Sequence, residues 1–206
     1  GHEELESIEV EIPLNREDAL ELETGGIYSS LVPGMTWRLE LNGRRSNPIR
    51  IGFSHFPVIE ENEGQEQAIQ IPSETHARFD SKGDLDQYRF EAKEGQPLWI
   101  ECIASRIRAG SDPVLWIDRV TVDAEGIESF KEITGNDDSG GNPGGLNFPL
   151  QNHDCSLLFT PPSDGIYRLR IHDYTGGGSP ADLYRLIIHP GAPDYDLLTT
   201  AWYAAP

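Results

Sequence analysis

The chain has little basic charge, few sulfur atoms and no long apolar run. Sixteen Lys and Arg stand against 35 Asp and Glu, a net charge of −19. Such a surface repels a phosphate backbone and an anionic lipid face, which argues against nucleic-acid and acidic-membrane partners. No apolar stretch approaches the roughly 18 residues that cross a bilayer, so membrane insertion is not expected. No export leader is recognisable after Gly1, which leaves the compartment open on this ground alone. A Gly-x-Ser-x-Gly elbow, a His-Glu-x-x-His helix and a phosphate-binding glycine loop are all missing, and with them the common signatures of hydrolases and nucleotide enzymes. Gly176-Gly177-Gly178 lies between strand patterns, not before a helix whose N-terminus could hold phosphate. The two cysteines, Cys102 and Cys155, fall far apart, each on the apolar face of a predicted strand. A disulfide stapling two strands and a pair of buried thiols both fit that placement. Neither has an activating neighbour, so a catalytic thiol is not expected.

What is abundant is turn chemistry. Twenty-one Gly and 15 Pro punctuate short alternating runs in the 206 residues, the pattern of an all-β protein. A chain of this length forms one or two domains and buries roughly 70% of its unfolded surface. Four Trp, seven Tyr and seven Phe supply core material. Asp84 and Asp86 open the most regular segment. Tyr88, Phe90 and Ala92 alternate with Arg89 and Glu91, the period of a half-buried strand. A turn at Lys93-Glu94-Gly95-Gln96 leads to Leu98, Ile100 and Cys102, alternating again, which reads as a hairpin at a sandwich edge with a carboxylate pair at its entry.

Before this segment, Ser7–Ile12 and Leu20–Glu23 read as strands, and Asn15–Leu20 as a helical turn or loop. Val32–Met35 reads as a turn. Trp37–Leu41 and Ile49–Phe53 flank an Asn42-Gly43 hairpin signal. Residues 1–57 thus form a small N-terminal β unit, a partial immunoglobulin-like module. Pro57–Gln67 reads as an acidic linker, ending at a short strand Ala68–Ile71. Further on, strands are expected at Val114–Ile117 with Val120–Val122 (separate or as one bent strand), Glu128–Ile133, Cys155–Phe159, Ile166–Ile171 and Leu183–Ile188. Gly135–Gly145 and Asp173–Gly178 are the glycine-rich loops. Residues 190–206 form a tail or the start of a next module. No fixed-period repeat appears.

From Pro57 to about Ile188 the order of segments resembles a known family. The matching pieces are Gly83–Phe90, Ala92–Gln96, Ser111–Leu115, Asn136-Asp137-Asp138, Pro161–Tyr167 and Tyr184-Arg185-Leu186. Together they resemble the bacterial pre-peptidase C-terminal domain, a module appended to many secreted proteases. The flanking Ser46-Asn47-Pro48 and Pro193-Asp194-Tyr195 are similar to large secreted multi-module proteins of planctomycete-type bacteria. The resemblance implies a jelly-roll-like β-sandwich over 58–189, an extracellular, cell-surface or periplasmic setting and no catalysis by the module. Some relatives, the collagen-binding modules of collagenases, hold calcium between a linker and the turn before the aromatic strand. The positions matched here are Glu60, Asn62, Glu63, Asp84 and Asp86; an earlier linker acid of those relatives is replaced by Val58.

The same residues suit a calcium ion on their own chemistry, since calcium takes six to eight oxygen donors. Asn136, Asp137 and Asp138 form a second, weaker cation loop; it lacks EF-hand spacing, and Asx side chains in turns usually cap their own backbone. His153-Asp154 and His172-Asp173 are neighbours in sequence, so on a strand they point to opposite faces and make no dyad. Trp99, Trp116 and Tyr174, with Trp202 and Tyr203, are candidates for stacking on sugars, or for packing against a neighbouring module. The reading that results is a non-catalytic accessory or binding module of a secreted protein. Its partners would be other modules of the parent, or an extracellular protein or polysaccharide. A structural spacer and a hydrolase fragment are the alternatives.

Overall fold

The computed structural model describes residues 34–41, 43–47, 49–107, 109–138 and 152–192. The expectations for Ser7–Ile12, Asn15–Leu20, Leu20–Glu23, Trp202, Tyr203, most of Gly135–Gly145 and the tail after Ala192 lie outside them. The described residues form strands β1 (Gly34–Trp37), β2 (Glu40–Leu41), β3 (Arg44–Arg45), β4 (Ile49–Gly52), β5 (Val58–Glu60), β6 (Gln67–Ala68), β7 (Ser73–Arg78), β8 (Asp86–Ala92) and β9 (Leu98–Ile103). A 3-10 turn at Ser105–Ile107 precedes β10 (Pro113–Val122), β11 (Glu128–Asn136), β12 (Cys155–Phe159), β13 (Gly165–Asp173) and β14 (Leu183–Pro190).

Two five-stranded sheets, ordered β11-β10-β13-β8-β6 and β12-β9-β14-β7-β5, make a β-sandwich. Four strands of each sheet pair antiparallel, and the fifth, β6 or β5, adds in parallel at one edge. The alternation that marked each strand is the alternation of its burial. Tyr88 and Phe90, Ile100 and Cys102, Leu115 and Ile117, Tyr167, Leu169 and Ile171, and Leu186 and Ile188 all face one core. Phe79 stacks on Tyr184 at 4.7 Å, and Phe159 meets Tyr167 edge-on at 5.2 Å.

Several expectations change. β8 and β9 are not a hairpin: they belong to opposite sheets, and the Lys93–Pro97 turn carries the chain from one sheet to the other. Each strand shows one apolar face in either arrangement, so alternation cannot name its partner. The acidic linker is part of the sandwich. It gives β5 to one sheet and β6 to the other, and so closes one open side. The strand expected at Ala68–Ile71 is only Gln67–Ala68. β7 carries no apolar pattern because its inward residues, Ser73, Thr75 and Ala77, are small or polar. The pair Val114–Ile117 and Val120–Val122 is one ten-residue strand, its pairing with β11 shifted at Ile117/Asp118. Before the sandwich, β1 pairs with β4 and β2 with β3 around Gly43, whose φ is 73°. Gly34 and Met35 are therefore in a strand rather than a turn.

The β13–β14 connection packs backbone against backbone. At Gly178, φ is 153°, and a Cβ would stand 2.0 Å from the Ser81 carbonyl oxygen. Gly178→Ala is therefore expected to destabilise the fold by about 2–4 kcal/mol, read as a lowered urea midpoint at unchanged slope. A midpoint equal to wild type would show that the loop moves away without cost.

Candidate metal centre

The linker and the β8 entry turn meet at the end of the sandwich. Carboxylate oxygens of Glu61, Glu63 and Asp86 lie within 4.8 Å of one another. Asp86, the first residue of β8, is 4% exposed. Glu61 follows β5, held by its own N–H on the His76 carbonyl (3.1 Å) and by the Arg78 N–H donating to its Oε2 (3.1 Å). Asp84 sits beside them, its Oδ2 accepting the Asp80 N–H at 2.7 Å.

Beneath the carboxylates, two tyrosines bridge the sheets. Tyr88 on β8 donates to Glu61 Oε1 at 3.0 Å, Tyr184 on β14 donates to Asp86 Oδ2 at 2.6 Å, and the two hydroxyls meet at 2.7 Å. Both hydroxyls donate to carboxylates, and the proton that Asp86 holds faces Glu61. Burial pushes the Asp86 carboxyl up to about 9; the Tyr184 hydrogen bond opposes this and Glu61 adds to it. Glu63 is also raised, by burial and then by Asp84 and Glu61. A buried carboxyl that holds its proton at neutral pH beside other carboxylates is a site where a cation can take the proton's place.

Of the five expected ligands, Glu63 and Asp86 converge, and Asp84 lies alongside. Glu60 and Asn62 do not join them. The Glu60 side chain lines a cavity of about 350 Å³ with His76, Arg78, Ile107, Leu183 and Arg185. Asn62 is exposed and bonded to Gln65 and Gln67. The converging carboxylate that sequence reasoning missed is Glu61. The period of two held its signal: Ile59 packs on the core, so on an extended segment Glu61 falls on the same side and Val58 and Glu60 on the other.

The second loop divides as well. Asn136 Oδ1 accepts the Ser156 N–H at 3.1 Å, capping β12, and Asp137 is exposed. Asp138 instead faces His153 and Asp112, whose carboxylate oxygens lie 3.5 and 3.7 Å from His153 Nδ1. This triad is the place among the described residues where an exposed His and carboxylates converge. The other His–Asp neighbours are structural. Asp154 is buried and holds the N–H groups of Ala104 and Ser105. His172 Nδ1 lies 2.6 Å from the Asp173 carbonyl oxygen, while the Asp173 carboxylate takes the N–H of Asp112, Thr175 and Gly177.

The stacking candidates lie apart. Trp99 and Trp116 occupy the outer faces of different sheets. Trp116 stacks on His172 at 4.8 Å with the Arg170 guanidinium 5.4 Å from its centroid, so its ring is engaged within the protein. Trp99 is half-buried between its register partners Leu158 and His189, and Leu158 is 59% exposed. Tyr174 is exposed in the β13–β14 loop.

No protein-family model matches the chain, and no curated protein matches it. Solved structures similar to it include the pre-peptidase C-terminal domain of collagenase from Bacillus anthracis, with 12% identity and a TM-score of 0.41 over 62% of this chain and 97% of that one. A second is a surface-associated copper-binding protein of Methylomicrobium album BG8, with 13% identity and a TM-score of 0.40 over 60% of this chain and 97% of that one. A third is a periplasmic inhibitor of g-type lysozyme from Aeromonas hydrophila, with 12% identity and a TM-score of 0.38 over 62% of this chain and all of that one. The three do not bear out the resemblance to planctomycete-type proteins. Among the described residues, no helix is long and apolar enough to cross a membrane.

Proposed function

We propose that the chain is a non-catalytic accessory module of a secreted or cell-surface protein. In this reading a calcium ion at Glu61, Glu63 and Asp86 pins the acidic linker to the sandwich. The observation that carries it is the convergence of three carboxylates at the linker–β8 junction. The donor set is all oxygen, which suits a hard cation, and Asp84 adds negative charge beside it. Bound there, calcium would supply charge neutralisation and would fix the direction in which the chain enters the sandwich. The module's partners are neighbouring modules of its parent and an extracellular protein or polysaccharide, met through the outer face that carries Trp99 and Leu158. A purely structural spacer role is the second reading, favoured by the linker's own strand pairing with both sheets.

Melting in millimolar calcium and in excess chelator tests the site. Saturation at about a hundred times Kd adds about 2.7 kcal/mol, or about 5–10 °C for a chain of this size. Glu61→Gln and Glu63→Gln are expected to abolish that difference while leaving the fold intact in chelator. Equal melting temperatures in calcium and chelator for the unaltered chain would exclude a stabilising calcium site.

A further inference from the structure

Cys102 on β9 and Cys155 on β12 are direct partners in the antiparallel register. Directly opposed residues have Cα atoms about 4.5–5.5 Å apart, within the roughly 4.4–6.8 Å that a disulfide spans. Both side chains are fully buried in the core. Both are free thiols in this structure. β12 is the outermost strand of its sheet, and β9 is its neighbour there.

We propose that Cys102 and Cys155 are a disulfide site, closed during folding by exchange with a low-molecular-weight or enzymatic disulfide and then sealed inside the sandwich. One thiolate attacks the oxidant's disulfide and releases one of its thiols. The second thiolate attacks the resulting mixed disulfide, forms the Cys102–Cys155 bond and releases the other thiol. Two electrons and two protons pass to the oxidant. In the closed sandwich, burial and then the neighbouring sulfur push the Cys102 thiol up, and thiol attack slows as thiolate is lost. Exchange therefore belongs to the open chain, and the finished bond is shielded from reductants. The crosslink constrains the unfolded ensemble over the loop from Cys102 to Cys155, which carries β10 and β11, and ties the edge strand β12 to β9. None of the calcium ligands takes part, so this inference and the calcium reading stand or fall separately. An oxidising setting outside the cytoplasm would supply the oxidant.

The test refolds the full chain in a mixture of reduced and oxidised glutathione, then denatures and alkylates it without reductant. The expected product takes no alkyl group, weighs about 2 Da less than the reduced chain as two hydrogens leave, and yields one peptide pair linking Cys102 to Cys155. Its melting temperature is expected to exceed that of the reduced chain by about 5 °C or more. The C102A/C155A double variant is expected to melt at the same temperature with and without reductant. Two alkylated cysteines, or glutathione retained on either one, would overturn the proposal. So would an oxidised chain that melts no higher than the reduced one.

Discussion

Asp154→Ala is expected to cost about 3–5 kcal/mol, the range for removing one partner of a buried charged pair. Asp154 is fully buried and precedes β12. Its Oδ1 accepts the N–H of Ala104 at 2.8 Å and of Ser105 at 2.5 Å, where β9 turns into the 3-10 turn. Its Oδ2 accepts Arg106 Nε at 2.5 Å. The Arg106 side chain is only 10% exposed, with Glu101 as its other acidic partner. Alanine would strand three backbone donors, the Arg106 N–H among them, and leave a shielded guanidinium with half its compensation. Each stranded group carries a desolvation cost that no rearrangement of a turn this tight removes. At 2–4 °C per kcal/mol the melting temperature should fall by about 10 °C. Asp154→Asn keeps an acceptor for the backbone but loses the charge facing Arg106, so an intermediate loss is expected. A loss under about 1 kcal/mol for alanine, by urea titration, would show that water replaces the carboxylate and that the cap is dispensable.

Asp86→Asn is expected to stabilise the chain at pH 8 in chelator by at least about 1.4 kcal/mol, the equivalent of a single pKa unit, and to abolish stabilisation by calcium. Four groups in line, Glu61, Tyr88, Tyr184 and Asp86, make three hydrogen bonds. Both hydroxyls donate to carboxylates, so the proton that Asp86 carries is the one facing Glu61. Its folded pKa, near 9, lies far above the ordinary value of 3.8. Between those values the folded chain holds a proton that the unfolded chain has released. Stability from this group is therefore complete below about pH 4 and declines as pH rises toward 9. Asparagine supplies the neutral form at every pH, so this contribution to the decline should vanish in the variant. Calcium must displace the same proton, so its affinity for the unaltered chain should rise with pH. Stability measured from pH 5 to 9 in chelator reads the first effect, and calcium titrations at pH 6 and 8 read the second. A pH profile of the variant parallel to that of wild type would place the proton elsewhere.

Much of the sandwich was legible in the residues. A strand with one buried face writes its period into the sequence, and β8, β9, β10, β12, β13 and β14 carry that period. β7 writes no such period because Ser73, Thr75 and Ala77, its inward residues, are small or polar. Its burial is real, since Glu74 and Thr75 are each 1% exposed, but it arises from neighbours. Arg185 donates to Glu74 at 2.6 Å from a strand more than a hundred residues away. The candidate site was half legible. Asp86 and Glu63 could be named from chemistry and order alone, whereas the choice of Glu61 over Glu60 and Asn62 depended on which side of β5 faces the core.

The sequence by itself determined that this chain is all-β, acidic and organised around the segment from Asp84 to Cys102. Turn residues and period-two alternation act locally and leave their mark in the order of residues. Tertiary structure alone decided the partners. It set β8 and β9 in opposite sheets, gave the linker one strand in each, laid Cys102 opposite Cys155 and brought Glu61 over Asp86. A strand's hydrogen-bonding edges are alike along its length, so what pairs with it is chosen by packing across the whole sandwich.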